Sequence, residues 1–346
     1  AADGGSAQGQ GMIRRLILGV ALAGMALGAD PRSFTEGDHV LRDFRFQTGE
    51  VLPEVKVHYT SLGAPKVNNA VLVLHGTGGS GRGLLARDVF ANELFGPGQP
   101  LDENRYFLLA PDNLGHGKSS KPSDGLGERF PKYGYRDMVE AQRRLLREKF
   151  GIAHVRLVIG TSMGCMHAWV WGTEHPDEVD LLMPLACQPY PITGRNLMWR
   201  KMLVDLLRQN PPNFAGARYL STLMSSNPQE LQKRGATRAT AITEFEKLKA
   251  AVRPGDAVDQ IYQFESSWDY DPTPKLAQVK ARVYHVNFAD DPINPPELGI
   301  LPRELAKVPH ARHRILPGTP DTYGHGNHTH ARFWKHFLSE LLDEKP

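Results

Sequence analysis

The sequence predicts an α/β protein with a mostly parallel central sheet, helices on both faces and one long helical insertion. Three observations predict it. Short continuous apolar runs end in Gly- or Pro-rich loops, as strands buried on both faces do. Segments with helical apolar spacing lie between them, and this alternation marks a doubly wound sheet. One stretch, 188–274, breaks the rhythm without a strong strand of its own, and an excursion of that length between core strands folds as a helical lid.

The 346 residues are 40% hydrophobic and 23% charged, which suits one large core plus an insertion and excludes a disordered or collagen-like chain. Net charge is only +3, and the basic residues are scattered, so no nucleic-acid partner is expected. Residues 1–11 carry no structural period and read as a tag or upstream extension. From Met12, Met-Ile-Arg-Arg leads into an apolar run from Leu16 to Ala26 and then Gly28 and Ala29. That is the layout of a secretory signal over 12–29. The run is shorter than the roughly 20 apolar residues of a membrane span, and no Cys follows it to carry a lipid. A periplasmic or secreted product without a stable membrane anchor is expected, with the cytoplasm as the alternative. Cys165 and Cys187 are the only cysteines, and they read as two buried small hydrophobes rather than as a pair.

The first part of the core spans 30–187. His39 to Phe46 and Val55 to Ser61 alternate as half-exposed strands. Ala70 to Leu74 and Tyr106 to Ala110 are buried strands. Tyr135 to Phe150 carries Met138, Val139, Ala141, Leu145 and Leu146 at helical spacing, with Gly151 placed to cap it. Val155 to Ile159 is the next strand, followed by a helix over Cys165 to Thr173 and a strand over Leu181 to Leu185. The lid shows helical patterns at Leu197 to Leu207 and Ala241 to Val252. The core resumes over 275–346 with strands Arg282 to Val286 and His313 to Leu316, and helices Pro296 to Val308 and Thr329 to Leu342.

Chemistry enters at Gly160-Thr161-Ser162-Met163-Gly164, which follows a strand and opens a helix. A turn that sharp needs small residues on both sides, and it lifts the Ser162 hydroxyl to the carboxyl end of the sheet. A serine needs a base, and in this architecture the base is a late histidine. His325, between Gly324 and Gly326, sits in a loop just before the terminal helix. The acid should follow the penultimate strand, where Asp290 and Asp291 compete. Asp291 is favoured by its Asp-x-x-x-Pro spacing, and Asp290 more naturally caps or solvates the loop. Oxyanion donors are expected from the backbone N–H of Met163 and of Thr77, the latter in His75-Gly76-Thr77-Gly78-Gly79. No Lys-Ser or Lys-Thr pair follows that loop, so it is not a phosphate cradle.

From about Val57 to Leu185 the chain resembles the homoserine O-acetyltransferase family, a branch of the α/β-hydrolase superfamily. Phe95-Gly96-Pro97-Gly98, Leu101-Asp102-Glu103-Asn104-Arg105-Tyr106, Asn113-Leu114-Gly115, Arg136-Asp137-Met138-Val139-Glu140-Ala141-Gln142 and the Ser162 motif carry the likeness. Asp291 with Pro295-Pro296-Glu297, and Gly324-His325, extend it to the far end. The resemblance implies an α/β-hydrolase fold, a helical lid, an acyl-enzyme on Ser162, and dimerisation through the lid. It also implies that Arg200, with Asn196, corresponds to the arginine that binds the substrate carboxylate. Two departures stand out. Gly326 replaces the aspartate that would meet a substrate ammonium, and burying an ammonium unpaired is costly. Gly115-His116-Gly117-Lys118-Ser119-Ser120 replaces the family's Gly-Ser-Thr-Gly-Pro.

The resulting expectation is an exported serine hydrolase cleaving a short to medium acyl ester, with no cofactor and no metal. The alternative is an O-acyltransferase of the homoserine acetyltransferase type using an acyl-CoA donor. Metal binding through His325, His328 and His330 is a third reading, prompted by their crowding.

Overall fold

The computed structural model describes residues 33–343. The expected extension 1–11 and signal 12–29 lie outside the described residues. The chain divides between Ser33 and Phe34, and every element below belongs to the second unit.

In chain order the elements are β1 (Thr35–Arg45), β2 (Val51–Leu62), β3 (Ala70–Leu74), α1 (Gly81–Leu85), α2 (Asp88–Leu94), β4 (Phe107–Pro111), α3 (Tyr135–Phe150), β5 (Val155–Thr161), α4 (Met163–Glu174) and β6 (Val179–Leu185). Five helices then intervene: α5 (Gly194–Arg208), α6 (Phe214–Ser225), α7 (Pro228–Arg234), α8 (Arg238–Ala250) and α9 (Ala257–Glu265). The core closes with β7 (Arg282–Phe288), α10 (Ile300–Leu305), β8 (Ala311–Leu316) and α11 (Lys335–Asp343).

The eight strands form one sheet in the order β1-β2-β4-β3-β5-β6-β7-β8. β1 and β2 join antiparallel, β2 meets β4 antiparallel, and the rest run parallel. All five residues of β3 are buried, because each face of the strand meets a different apolar layer. Leu72 and Leu74 face the layer filled by Met138, Leu145 and Trp169 of α3 and α4. Val71 and Val73 face the opposite layer, with Leu85, Phe90 and Leu338 of α1, α2 and α11. Burying such side chains contributes about 1.5–3 kcal/mol each, enough to fix which residues face which way.

Several expectations change in detail. The predicted helix over Pro296 to Val308 is interrupted at Gly299, whose φ of +62° breaks it into a 3₁₀ turn (Pro296–Leu298) and α10. The helix expected from Thr329 starts only at Lys335, after 3₁₀ turns over Gly324–Thr329 and Ala331–Phe333. The insertion holds five helices where two patterns, those of α5 and α8, are visible in sequence; α7 buries no residue and leaves little apolar period to read. The reading of the cysteines is corrected: Cys165 and Cys187 form a disulfide, with Cα atoms 5.9 Å apart. Adjacency of β5 and β6 brings the start of α4 beside the end of β6, which no local pattern announces. No described helix is long and apolar enough to cross a membrane.

Candidate active site

β5 delivers Ser162 into a tight turn. A Cβ on Gly160 would run into the Gly164 carbonyl, and one on Gly164 into the Leu74 carbonyl. Both positions must therefore be glycine for strand and helix to close on each other. Ser162 itself has φ +54° and ψ −109°, a sparsely populated conformation that the surrounding packing must hold. Its N–H donates to the Leu185 carbonyl (2.9 Å).

His325 reaches this serine from the loop after β8. Its Nε2 lies 2.8 Å from Ser162 Oγ, and its Nδ1 lies 2.8 Å from Asp291 Oδ2. Asp291 is only 1% exposed. It also accepts from the Ile293 N–H and from Asn294 Nδ2, so its carboxylate is held by three donors. The Asp290 carboxylate bonds to the surrounding turn instead of to the imidazole ring. It accepts from Thr322 Oγ1, the Gly324 N–H and Asn327 Nδ2, pinning the turn on both sides of His325. Sequence reasoning gave Asp290 a loop-capping role, which matches; it missed Asn294, whose Asp-x-x-Asn spacing was the available signal.

The inserted helices also touch this turn. Asn227, 1% exposed at the start of α7, donates through Nδ2 to the carbonyls of Thr319 and Thr322. A side chain at Gly324 would collide with the backbone of Ser225 to Asn227. Nothing in the local sequence flags Asn227.

Of the expected oxyanion donors, Met163 opens α4, where the first N–H groups have no partner within the helix. Thr77 lies in the loop after β3, beside Gly76, whose ideal Cβ position is 3.3 Å from Ser162 Cβ. Among the described residues the Thr77 N–H has no acceptor. The expected pieces thus lie around one hydroxyl.

Ser162, His325 and Thr77 line a cavity of about 1270 Å³ between the sheet end and the insertion. Arg87, Arg195, Arg200, Arg218 and Arg253 also line it, and none is ion-paired within the described residues. The acids at its wall are capped: Asp259 accepts from Ser123, and Asp256 from the Asp259 N–H. Arg200 is 5% exposed, with Nε donating to Asn196 Oδ1 (3.1 Å) and the guanidinium over Trp199 and Phe264. A solvated surface arginine would look different. Of the insertion's aromatic side chains, Tyr190, Trp199, Phe214 and Phe264 line the cavity, whereas Tyr262 and Tyr270 pack into the core. The crowded histidines do not converge as a metal site. Both nitrogens of His325 are engaged, and His330 Nδ1 bonds to the Gly326 carbonyl while its ring stacks on Tyr323.

The family model described as alpha/beta hydrolase fold matches residues 69–323. The chain belongs to that family. Within it, the chain is 31% identical over 281 residues to a probable acyltransferase of Methanothermobacter thermautotrophicus, covering 76% of this chain and 84% of that protein. It is 30% identical over 281 residues to a homoserine O-acetyltransferase of Haloarcula marismortui, covering 70% of this chain and 68% of that one, which places it in the homoserine O-acetyltransferase-like branch. An acetylester hydrolase from Corynebacterium glutamicum superposes with a TM-score of 0.75 at 20% identity, covering 90% of this chain and 96% of that one. This α/β-hydrolase is therefore an enzyme of the esterase or acyltransferase kind.

Proposed function

We propose that this α/β-hydrolase transfers an acyl group through an ester on Ser162 to a hydroxyl acceptor, as an O-acyltransferase. The observation that carries the acyl-enzyme, common to transfer and hydrolysis, is the continuous row Ser162 Oγ, His325 Nε2, His325 Nδ1 and Asp291 Oδ2, with both links at 2.8 Å. In that row His325 takes the Ser162 proton as Oγ attacks the acyl carbonyl, and Asp291 stabilises the resulting imidazolium. The N–H groups of Met163 and Thr77 receive the charge that builds on the carbonyl oxygen. Collapse expels the leaving group, which takes the proton from His325. The second half repeats the steps in reverse, with His325 deprotonating the acceptor hydroxyl.

The acceptor reading rests on the cavity wall. Arg200, buried and without a carboxylate partner, suits a carboxylate on the acceptor. Position 326 offers no acid for an ammonium, so a hydroxy acid without an amine fits better than homoserine. Hydrolysis is the second reading, and the disulfide favours it. Disulfides persist in oxidising compartments, where acyl-CoA is absent and water is the abundant acceptor. Export through 12–29 belongs to that reading.

Product analysis tests both. The protein is incubated with acetyl-CoA or p-nitrophenyl acetate, with and without 4-hydroxybutyrate or homoserine. An acylated hydroxy acid supports transfer, and free acetate alone in every mixture supports hydrolysis. Ser162→Ala should abolish either product and labelling by a fluorophosphonate. A folded Ser162→Ala protein that keeps turnover would sink the acyl-enzyme.

A further inference from the structure

Beside the serine runs a buried polar chain that ends at His75 on the cavity wall. Trp171 Nε1 donates to Gln142 Oε1 (2.8 Å). Gln142 Nε2 donates to Asn113 Oδ1 (2.6 Å) and lies 3.2 Å from His167 Nδ1. The Asn113 backbone N–H donates to His75 Nε2 (3.1 Å), and Asn113 Nδ2 lies 3.2 Å from the same nitrogen. His75 Nδ1 lies 2.8 Å from the Gly76 carbonyl oxygen. His75, Asn113, Gln142 and His167 are each 2% exposed or less.

The donors fix the tautomer. A backbone N–H can only donate, so His75 Nε2 is the acceptor, and in the neutral ring the proton sits on Nδ1 and points at the Gly76 carbonyl. The Gly79 N–H donates to the same oxygen (3.0 Å). In a planar trans peptide the carbonyl and the following N–H point in opposite directions. Two donors holding the Gly76 oxygen on one side therefore aim the Thr77 N–H to the other, where Gly76 packs against Ser162. The far end of the chain, His167 and Trp171, stands on α4, the helix that begins with Met163.

From this geometry we infer that His75 is a positioning residue: it orients the Gly76–Thr77 peptide, and through Asn113 and Gln142 it sets that peptide's distance from the Met163 N–H across the reacting carbonyl. The inference rests on the Ser162 reading above. Burial pushes the pKa of both His75 and His167 down, in keeping with neutral rings throughout. A donor already aimed at the developing oxyanion acts in the transition state more than in substrate binding, so its loss lowers kcat and leaves KM.

The test compares His75→Leu with His75→Asn, whose amide can supply a donor in the place of Nδ1, using p-nitrophenyl acetate turnover and the rate of fluorophosphonate labelling. His75→Leu should lower kcat about 100-fold with KM within threefold of the parent, the scale of one lost oxyanion donor. His75→Asn should recover at least tenfold of that. Gly79→Ala is the second variant, because a Cβ there meets the Gly76 oxygen at 3.0 Å and His75 Nδ1 at 3.2 Å without opening the core. It should lower kcat in the same way. A folded His75→Leu or Gly79→Ala with parental kcat overturns the inference, as does His75→Asn no better than His75→Leu. Labelled parent protein with unaffected variants removes this inference alone, whereas parent protein that neither labels nor turns over removes the Ser162 reading with it.

Discussion

Two adjacent aspartates hold His325 from different directions, and substituting them singly separates their tasks. Asp291→Asn keeps the shape but removes the charge facing Nδ1, and the amide can present N–H where the ring also carries a proton. Loss of a triad acid by this change costs about 10⁴ in kcat elsewhere, or about 5 kcal/mol of transition-state stabilisation. Asp290→Ala removes the acceptor for three donors, those of Thr322, Gly324 and Asn327. At about 1 kcal/mol of net stability per hydrogen bond, folding should weaken by about 3 kcal/mol. The rate should fall only about tenfold, through a looser His325. Ester turnover and urea unfolding measured on the same preparations give both numbers. The reasoning fails if Asp290→Ala costs more rate than Asp291→Asn, or if Asp291→Asn stays within tenfold of the parent.

Further outcomes follow from other sites. Gly326→Asp has room, since a Cβ there meets Tyr323 Cβ at 3.4 Å, and it should raise acyl transfer to homoserine relative to 4-hydroxybutyrate by at least tenfold in a competition assay; an unchanged ratio removes Gly326 as the selector. Breaking the disulfide, by Cys165→Ser with Cys187→Ser, opens a loop with a sequence separation of 22 residues, and should cost about 3 kcal/mol in urea unfolding by loop entropy. No change between oxidised and reduced parent protein would contradict the pairing. Burial lowers the His116 and His285 pKa values to about 3 and that of His167 well below its ordinary value. These rings stay neutral when folded and take up protons when unfolded, so their stability contribution is whole above the unfolded value near 6.5 and is lost as pH falls towards the folded values. Stability should therefore fall by a few kcal/mol, about 1 per ring, between pH 7.5 and 5.5; a flat urea midpoint across that range would refute it.

The alternating apolar runs carried the sheet, because a strand buried on both faces has no choice of residue type: β3 is Ala-Val-Leu-Val-Leu with every side chain covered. The Ser162 turn was legible for a similar reason, as backbone approach at Gly160 and Gly164 admits nothing larger. His325 and Asp291 followed from chain order. What stayed hidden depends on contacts between distant segments. The pairing of Cys165 with Cys187 needs β5 beside β6, and the role of Asn227 needs the insertion folded onto the His325 loop. α6 was missed because its apolar residues face other inserted helices across a small separate cluster, and α9 because it divides its apolar residues between that cluster (Ile261) and the sheet core (Tyr262). Arg200 was identified by resemblance, and only its burial decides that it belongs to the cavity.

The docking of the α6–α7 corner against the 319–324 turn bears on engineering. Swapping the insertion among relatives is an obvious way to retune which molecules enter. Here the transplanted piece would also have to reproduce the amide of Asn227 and the bare backbone beside Gly324. A chimera that ignores this corner should bind its new guest and still turn over slowly, its imidazole left without a scaffold on one side.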